Sequence, residues 1–124
     1  MNIIEKYKKQ YEAVIDGPAS EEAVDKLLAH YQVVNPLYRN WLIETGGGPI
    51  GSDWYDTLAE LDESQTSLQN DLWTISGFVI GWDGAGNPLV LCEDGKIITE
   101  DHDFGGIHNV AFSFEALLVK HVSS

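Results

Sequence analysis

The sequence predicts an α+β fold in a single domain, residues 1–124: N-terminal helices packed on a central, mostly antiparallel β-sheet, with a C-terminal helix. Three observations predict it. Apolar residues at helical spacing run from Ile3 to Leu42. Short β-rich runs separated by glycine turns fill Phe78 to Glu100. Helical spacing then returns after Ser113. No internal repeat and no interdomain linker breaks this order.

Each element has a local cause. Ile3, Ile4, Tyr7, Tyr11, Val14 and Ile15 recur at helical spacing, with Lys6, Lys8, Lys9 and Glu12 between them, and Asp16-Gly17-Pro18 closes the helix. Ser20 is the N-cap of a second helix, with Glu21 and Glu22 at the positive end of its dipole and Ala23, Val24, Leu27, Leu28 and Tyr31 on its buried face. Asn35-Pro36 supplies a cap and a first-turn proline for a third helix, which turns Leu37, Tyr38, Trp41 and Leu42 inward. Gly46 stops it as a left-handed C′ residue. Trp54-Tyr55 begins a strand, and Thr57 with Glu60 makes a capping box for a short helix carrying Leu58 and Leu61. Ser64 to Asn70 is polar and is expected to be a mobile loop. Leu72 to Trp82 returns to a β pattern, with Gly77 as a bulge or break.

The middle of the sheet is Phe78 to Phe104. Phe78–Trp82, Pro88–Cys92 and Ile97–Glu100 read as strands, joined by the turn clusters Asp83–Asn87 and Glu93–Lys96. If Asp94-Gly95 forms a two-residue type I′ turn, Glu93 faces Lys96, Cys92 faces Ile97 and Leu91 faces Ile98. Asp101 to Gly106 is a loop, Val110-Ala111 a short last strand, and Ser113 caps a final helix with Phe114, Leu117, Leu118 and His121 inward.

Charge is the most informative bulk property. The 124 residues carry seven bases against twenty acids, a net charge of −13. Residues 1–39 are nearly balanced, with six acids and five bases, whereas the rest of the chain holds fourteen acids and only Lys96 and Lys120. Such a surface repels nucleic acid and anionic lipid and attracts basic partners. Neither an apolar run of membrane-spanning length nor an apolar signal core is present, and Cys92 has no second cysteine to pair with. A reducing cytoplasm is the expected location.

The chemistry-bearing clusters read mainly as structure. Asp101-His102-Asp103, with His108 nearby, lacks the further ligands of a closed metal site, so a solvated loop is expected and no cofactor is. Asp83-Gly84-Ala85-Gly86-Asn87 fails the calcium-loop pattern at Ala85 and at Asp94. It is no phosphate loop either, because no lysine-serine or lysine-threonine follows. Trp41 and Trp73 read as core. Trp54 and Trp82 adjoin Asp53, Asp56 and Asp83, which suits either a half-buried core position or an interface anchor.

Three stretches together resemble the SUKH superfamily of cell-wall-synthesis regulators and bacterial toxin-immunity proteins. They are Tyr38-Arg39-Asn40-Trp41-Leu42-Ile43-Glu44-Thr45-Gly46-Gly47, Ile80-Gly81-Trp82-Asp83-Gly84-Ala85-Gly86-Asn87-Pro88-Leu89, and Ala111-Phe112-Ser113-Phe114-Glu115-Ala116-Leu117-Leu118. Thr45 stands where the family usually has asparagine. The resemblance implies an α+β domain that acts by binding, most often as a cytoplasmic antitoxin, with no catalytic motif. The residues expected to contact a basic protein partner are Asp53, Trp54, Asp56, Glu60, Asp62, Glu63, Trp82, Asp83, Asp101 and Asp103. A regulatory adaptor on the same fold is the alternative, and a metal-dependent hydrolase the third reading. The residues imply no oligomeric state.

Overall fold

Five helices and six strands make up residues 1–15 and 17–122, the part of the chain described by the computed structural model. α1 (Ile3–Tyr11), α2 (Glu21–His30) and α3 (Pro36–Thr45) come first. Strands β1 (Gly48–Ile50) and β2 (Asp53–Tyr55) precede α4 (Leu58–Asn70). β3 (Phe78–Trp82), β4 (Pro88–Leu91), β5 (Ile97–Glu100) and β6 (Ile107–Ala111) follow, and α5 (Phe114–His121) closes the chain. The strands form one sheet in sequence order, every neighbouring pair antiparallel. This is the expected α+β architecture.

The caps explain where the helices begin. The side chains of Ser20, Asn35 and Ser113 accept from the N–H groups of Ala23, Tyr38 and Ala116, each three residues on. Gly46 ends α3 at φ 76°. Thr45 makes its own closure: its hydroxyl donates to the Trp41 carbonyl at 2.8 Å and accepts from Gly47 N–H at 3.2 Å.

Alternation along β3, β4 and β5 splits the core in two. Phe78, Ile80, Leu89, Leu91 and Ile97 join the large cluster built with Tyr7, Val24, Tyr38, Trp41 and Phe114 from α1, α2, α3 and α5. Val79 and Val90 face the other way, with Leu68 and Ile75 and with Trp73, Trp82 and Ile98 packed against them. A bulge between Val79 and Gly81 resets the alternation, so Trp82 lies on the Val79 face.

Four expectations are corrected. The first helix stops at Tyr11, and Val14 is exposed; the Asp16 part of the expected stop lies outside the described residues. Leu72 to Gly77 is not strand, and Leu72 is fully exposed. The β4–β5 register is one residue off: Leu91 faces Ile97 and Val90 faces Ile98. Cys92 N–H donates to Lys96 O at 2.9 Å, leaving Glu93, Asp94 and Gly95 as a three-residue loop with Gly95 at φ 95°.

The largest correction is at Ser64 to Asn70, which continues α4 instead of forming a loop. Gln65 explains it. β2 ends at Tyr55, so Val79 on β3 has no strand on that side. The buried Gln65 side chain takes its place, accepting from Val79 N–H at 2.8 Å and donating to Val79 O at 2.7 Å. Around that amide Leu61 reaches the large cluster and Leu68 the smaller one.

Candidate protein-binding surface

β2 is held against β3 by close backbone contact. Gly81 allows it, because a Cβ there would strike the Trp54 carbonyl oxygen. The pairing sets Trp54 opposite Trp82. Trp54 is 40% exposed, and Trp82 is half-buried. Each indole N–H finds a partner on α4: Trp54 donates to Glu60 and Trp82 to Ser64, both at 2.9 Å.

Glu60 completes the capping box by also accepting from Thr57 N–H at 2.9 Å. Burial pushes its carboxyl up, but the bonds from Thr57 and Trp54 outweigh burial and hold it below the usual range. Asp56 is only 2% exposed, so its carboxylate is not at the surface and offers no direct contact to a partner. It accepts from the Ser64 hydroxyl, which completes a chain from Trp82 through Ser64 to Asp56. Burial pushes the Asp56 carboxyl up to about 6 against the Ser64 bond, with Glu60 and Glu63 adding repulsion.

The neighbouring acids serve turns. Asp83 accepts from Ala85 N–H and Asn87 N–H, both at 2.9 Å, and from the Asn87 amide at 3.1 Å. Asp53 is half-buried beside it; burial raises its carboxyl, the Gly84 N–H lowers it and the Asp83 charge raises it again. Asn87 carries the connection onward, since its Oδ1 accepts from His102 N–H at 3.0 Å. Asp101 accepts from Phe104 and Asp103 N–H groups, which hold its carboxyl below the usual range. Asp103 is exposed and lies 3.2 Å from His102 Nε2.

The structure thus gathers Asp53, Trp54, Glu60, Trp82 and Asp83 around the β2–β3 pairing, and Asn87 and His102 tie the Asp101–Asp103 loop to Asp83. Glu63 is exposed on α4, close enough to act on Asp56. Asp62 points elsewhere, to the hydroxyl of Tyr31 after α2. Among the described residues no group of three or more His, Cys, Asp or Glu side chains is placed to hold a metal ion. No helix among them is long and apolar enough to cross a membrane.

Ser64, Gln65 and Asn87 are the residues that sequence reasoning missed. The spacing of Leu58, Leu61, Gln65 and Leu68 is helical and contained the signal for the first two. A groove of about 1240 Å³ was also unforeseen. It lies between the segment after α2, the end of α4, the Trp73–Phe78 segment and the β4–β5 hairpin, with Val33, Leu68, Ile75 and Ile98 among its walls. Cys92 lines it, its thiol pushed up by burial. No protein-family model matches this chain, and no curated protein matches it.

Proposed function

We propose that this protein is a non-catalytic cytoplasmic immunity protein that binds and neutralises a basic toxin domain, such as a nuclease, through its acidic surface. The resemblance to SUKH proteins suggests the class. The observation that carries the reading is the charge asymmetry: residues 40–124 hold fourteen acids and two lysines, with exposed Trp54 among the acids. Acids of this density steer a basic partner and compete with phosphate for its Lys and Arg side chains, while an aromatic anchor supplies affinity. Asp53, Glu63 and Asp103 are the side chains best suited to steering, and Trp54 to anchoring. Asp83 and Glu60 hold the surface in shape.

A regulatory adaptor for an endogenous protein is the second reading. The groove beside α4 favours it, because a standing groove that mixes apolar walls (Val33, Leu68, Ile75, Ile98) with polar ones (Gln69, Glu93, Lys96) suits a partner's side chains.

Co-expression with the product of the neighbouring gene, followed by pull-down and a viability assay, tests the first reading. A complex and protection from toxicity are expected. Association should slow by about tenfold or more between low and physiological salt. Changing Asp53, Glu63 and Asp103 together to Asn, Gln and Asn should measurably reduce that salt dependence, because it takes three of the fourteen acids from the field. No complex and no protection would overturn the reading, and binding indifferent to salt would overturn the steering role.

A further inference from the structure

β6 is an open sheet edge. The strand order leaves β1 and β6 at the two ends, and Ile107, His108 and Asn109 of β6 are exposed. The phase of the ladder is set on both sides of β5. Cys92 N–H donates to Lys96 O at 2.9 Å, and Asp101 N–H donates to Gly106 O at 3.1 Å. Bonded pairs alternate with non-bonded pairs along antiparallel strands. Thr99 and His108 are therefore a bonded pair. Ile107 and Asn109, opposite Glu100 and Ile98, turn their N–H and C=O groups away from the sheet. None of these four outward groups has a backbone partner among the described residues.

Little guards this edge. Natural sheets blunt their edges with lysine, proline, inward charge or bulges. From Phe104 to Phe114 the chain has no Asp, Glu, Lys, Arg or Pro. A register shift opposite Ile97-Ile98 bends only the far end of β6. Phe104, Ile107 and Phe112 stand exposed along the strip, at 91%, 52% and 84%.

We propose that β6 pairs antiparallel with β6 of a second copy of this chain, joining the two sheets across a two-fold axis at His108. The backbone phase suits this register. Ile107 of one copy and Asn109 of the other exchange both hydrogen bonds, and the symmetric pair does the same, which satisfies every outward group named above. The same register brings the Phe104 end of each strand to the Phe112 end of the other, so both exposed rings gain an apolar neighbour. Charge permits this occupant, and apolar contact favours it. The strip from Phe104 to Phe114 carries no acid of its own, so two copies can approach without like charges facing each other along β6, and a second copy brings its Phe112 to Phe104. The proposal does not depend on the immunity reading.

Sedimentation equilibrium of the full chain, from micromolar to millimolar concentration, tests it together with amide hydrogen exchange. A concentration-dependent dimer is expected, with the Ile107 and Asn109 amides protected only in the dimer. Asn109→Pro removes an outward N–H that the isolated fold does not use, so it should weaken the dimer at least about tenfold while the chain stays folded. Ile107→Lys adds a charge beside the axis without touching the backbone and should weaken it similarly. A chain that stays monomeric at millimolar concentration would overturn the proposal. So would a dimer that neither variant weakens, or Ile107 and Asn109 protection that arises only when a different protein is added.

Discussion

In the N-terminal helices, Glu21 and Asp25 take their hydrogen bonds from Arg39, at 2.6 Å each; in the acidic segment from Asp53 to Asp71, which holds no base, Asp56, Glu60 and Asp62 take theirs from Ser64, Thr57, Trp54 and Tyr31. The difference has an electrostatic consequence. A cation satisfies a carboxylate and cancels its charge. A hydroxyl, indole or backbone N–H satisfies the lone pairs and leaves the charge in place. The acidic segment is therefore well bonded internally and still negative outward. That combination lets a protein keep a steering field without leaving unsatisfied carboxylates in its fold.

The comparison is sharpest at Gln65, where a neutral side chain does what a neighbouring strand would do. Gln65→Met keeps the volume and removes both bonds to Val79. Two buried backbone groups then lose their partners, each at a cost of about 1–3 kcal/mol. A loss of about 3 kcal/mol in urea unfolding is expected, the largest of the changes considered. A loss below about 1 kcal/mol would mean that Gln65 does not close the β3 edge.

Asp56 comes next, because it is the one acid of the segment taken fully inside. Burial pushes its folded carboxyl up to about 6, against an ordinary carboxyl value of 3.8. The folded state thus holds its proton more tightly than the unfolded chain does. By linkage, this group's contribution is fully present below about pH 4 and is lost as pH rises to about 6. Asp56→Asn keeps an acceptor for Ser64 and has no proton to lose. Relative to wild type, the variant should gain on the order of 2 kcal/mol between those limits and keep that gain at pH 7. Urea midpoints at pH 4, 5, 6 and 7 measure it; parallel curves for the two proteins would refute the buried-acid account. Asp25 behaves with the opposite sign. Its bond from Arg39 lowers its carboxyl, so its contribution is present at neutral pH and is lost as pH falls below the usual carboxylate range.

What could be read in advance follows the range of the forces involved. Ser20, Asn35 and Ser113 are local caps, and their bonds span three residues, so short windows of sequence reveal them. The hairpins were legible for the same reason. Their register was not, since Asp94-Gly95 fits a two-residue turn as well as the last two places of a three-residue loop. Ser64 and Gln65 looked like loop because polar residues broke the apolar stripe of α4. Their bonds go to Asp56, Trp82 and Val79, and only the tertiary fold brings those groups within reach. Asp56 read as a surface acid because nothing local signals burial. In the candidate surface, Trp54, for which the sequence left a half-buried core position and an interface anchor both open, is exposed, as is Asp103, while Asp83 turned out to be a turn staple and Asp62 a partner of Tyr31.

Arg39 gives the smallest expected effect and the cleanest separation of the two regions. Its guanidinium bridges α2 to α3 through Glu21 and Asp25, and all three side chains are solvent-accessible. Exposed ion pairs contribute little and are screened by salt. Arg39→Gln should therefore cost only slightly at low ionic strength, and the cost should shrink further in molar salt. It also leaves Glu21 and Asp25 uncompensated, so the N-terminal helices come to resemble the acidic segment in net charge but not in bonding. The Gln65→Met loss, by contrast, arises from buried neutral bonds and should hold steady across the same salt range. Urea midpoints of both variants at low and high salt make the comparison. A salt-independent loss for Arg39→Gln would show that its alkyl chain, not its charge, joins the helices, and the division between ion-paired and neutrally bonded regions would then fail at its first example.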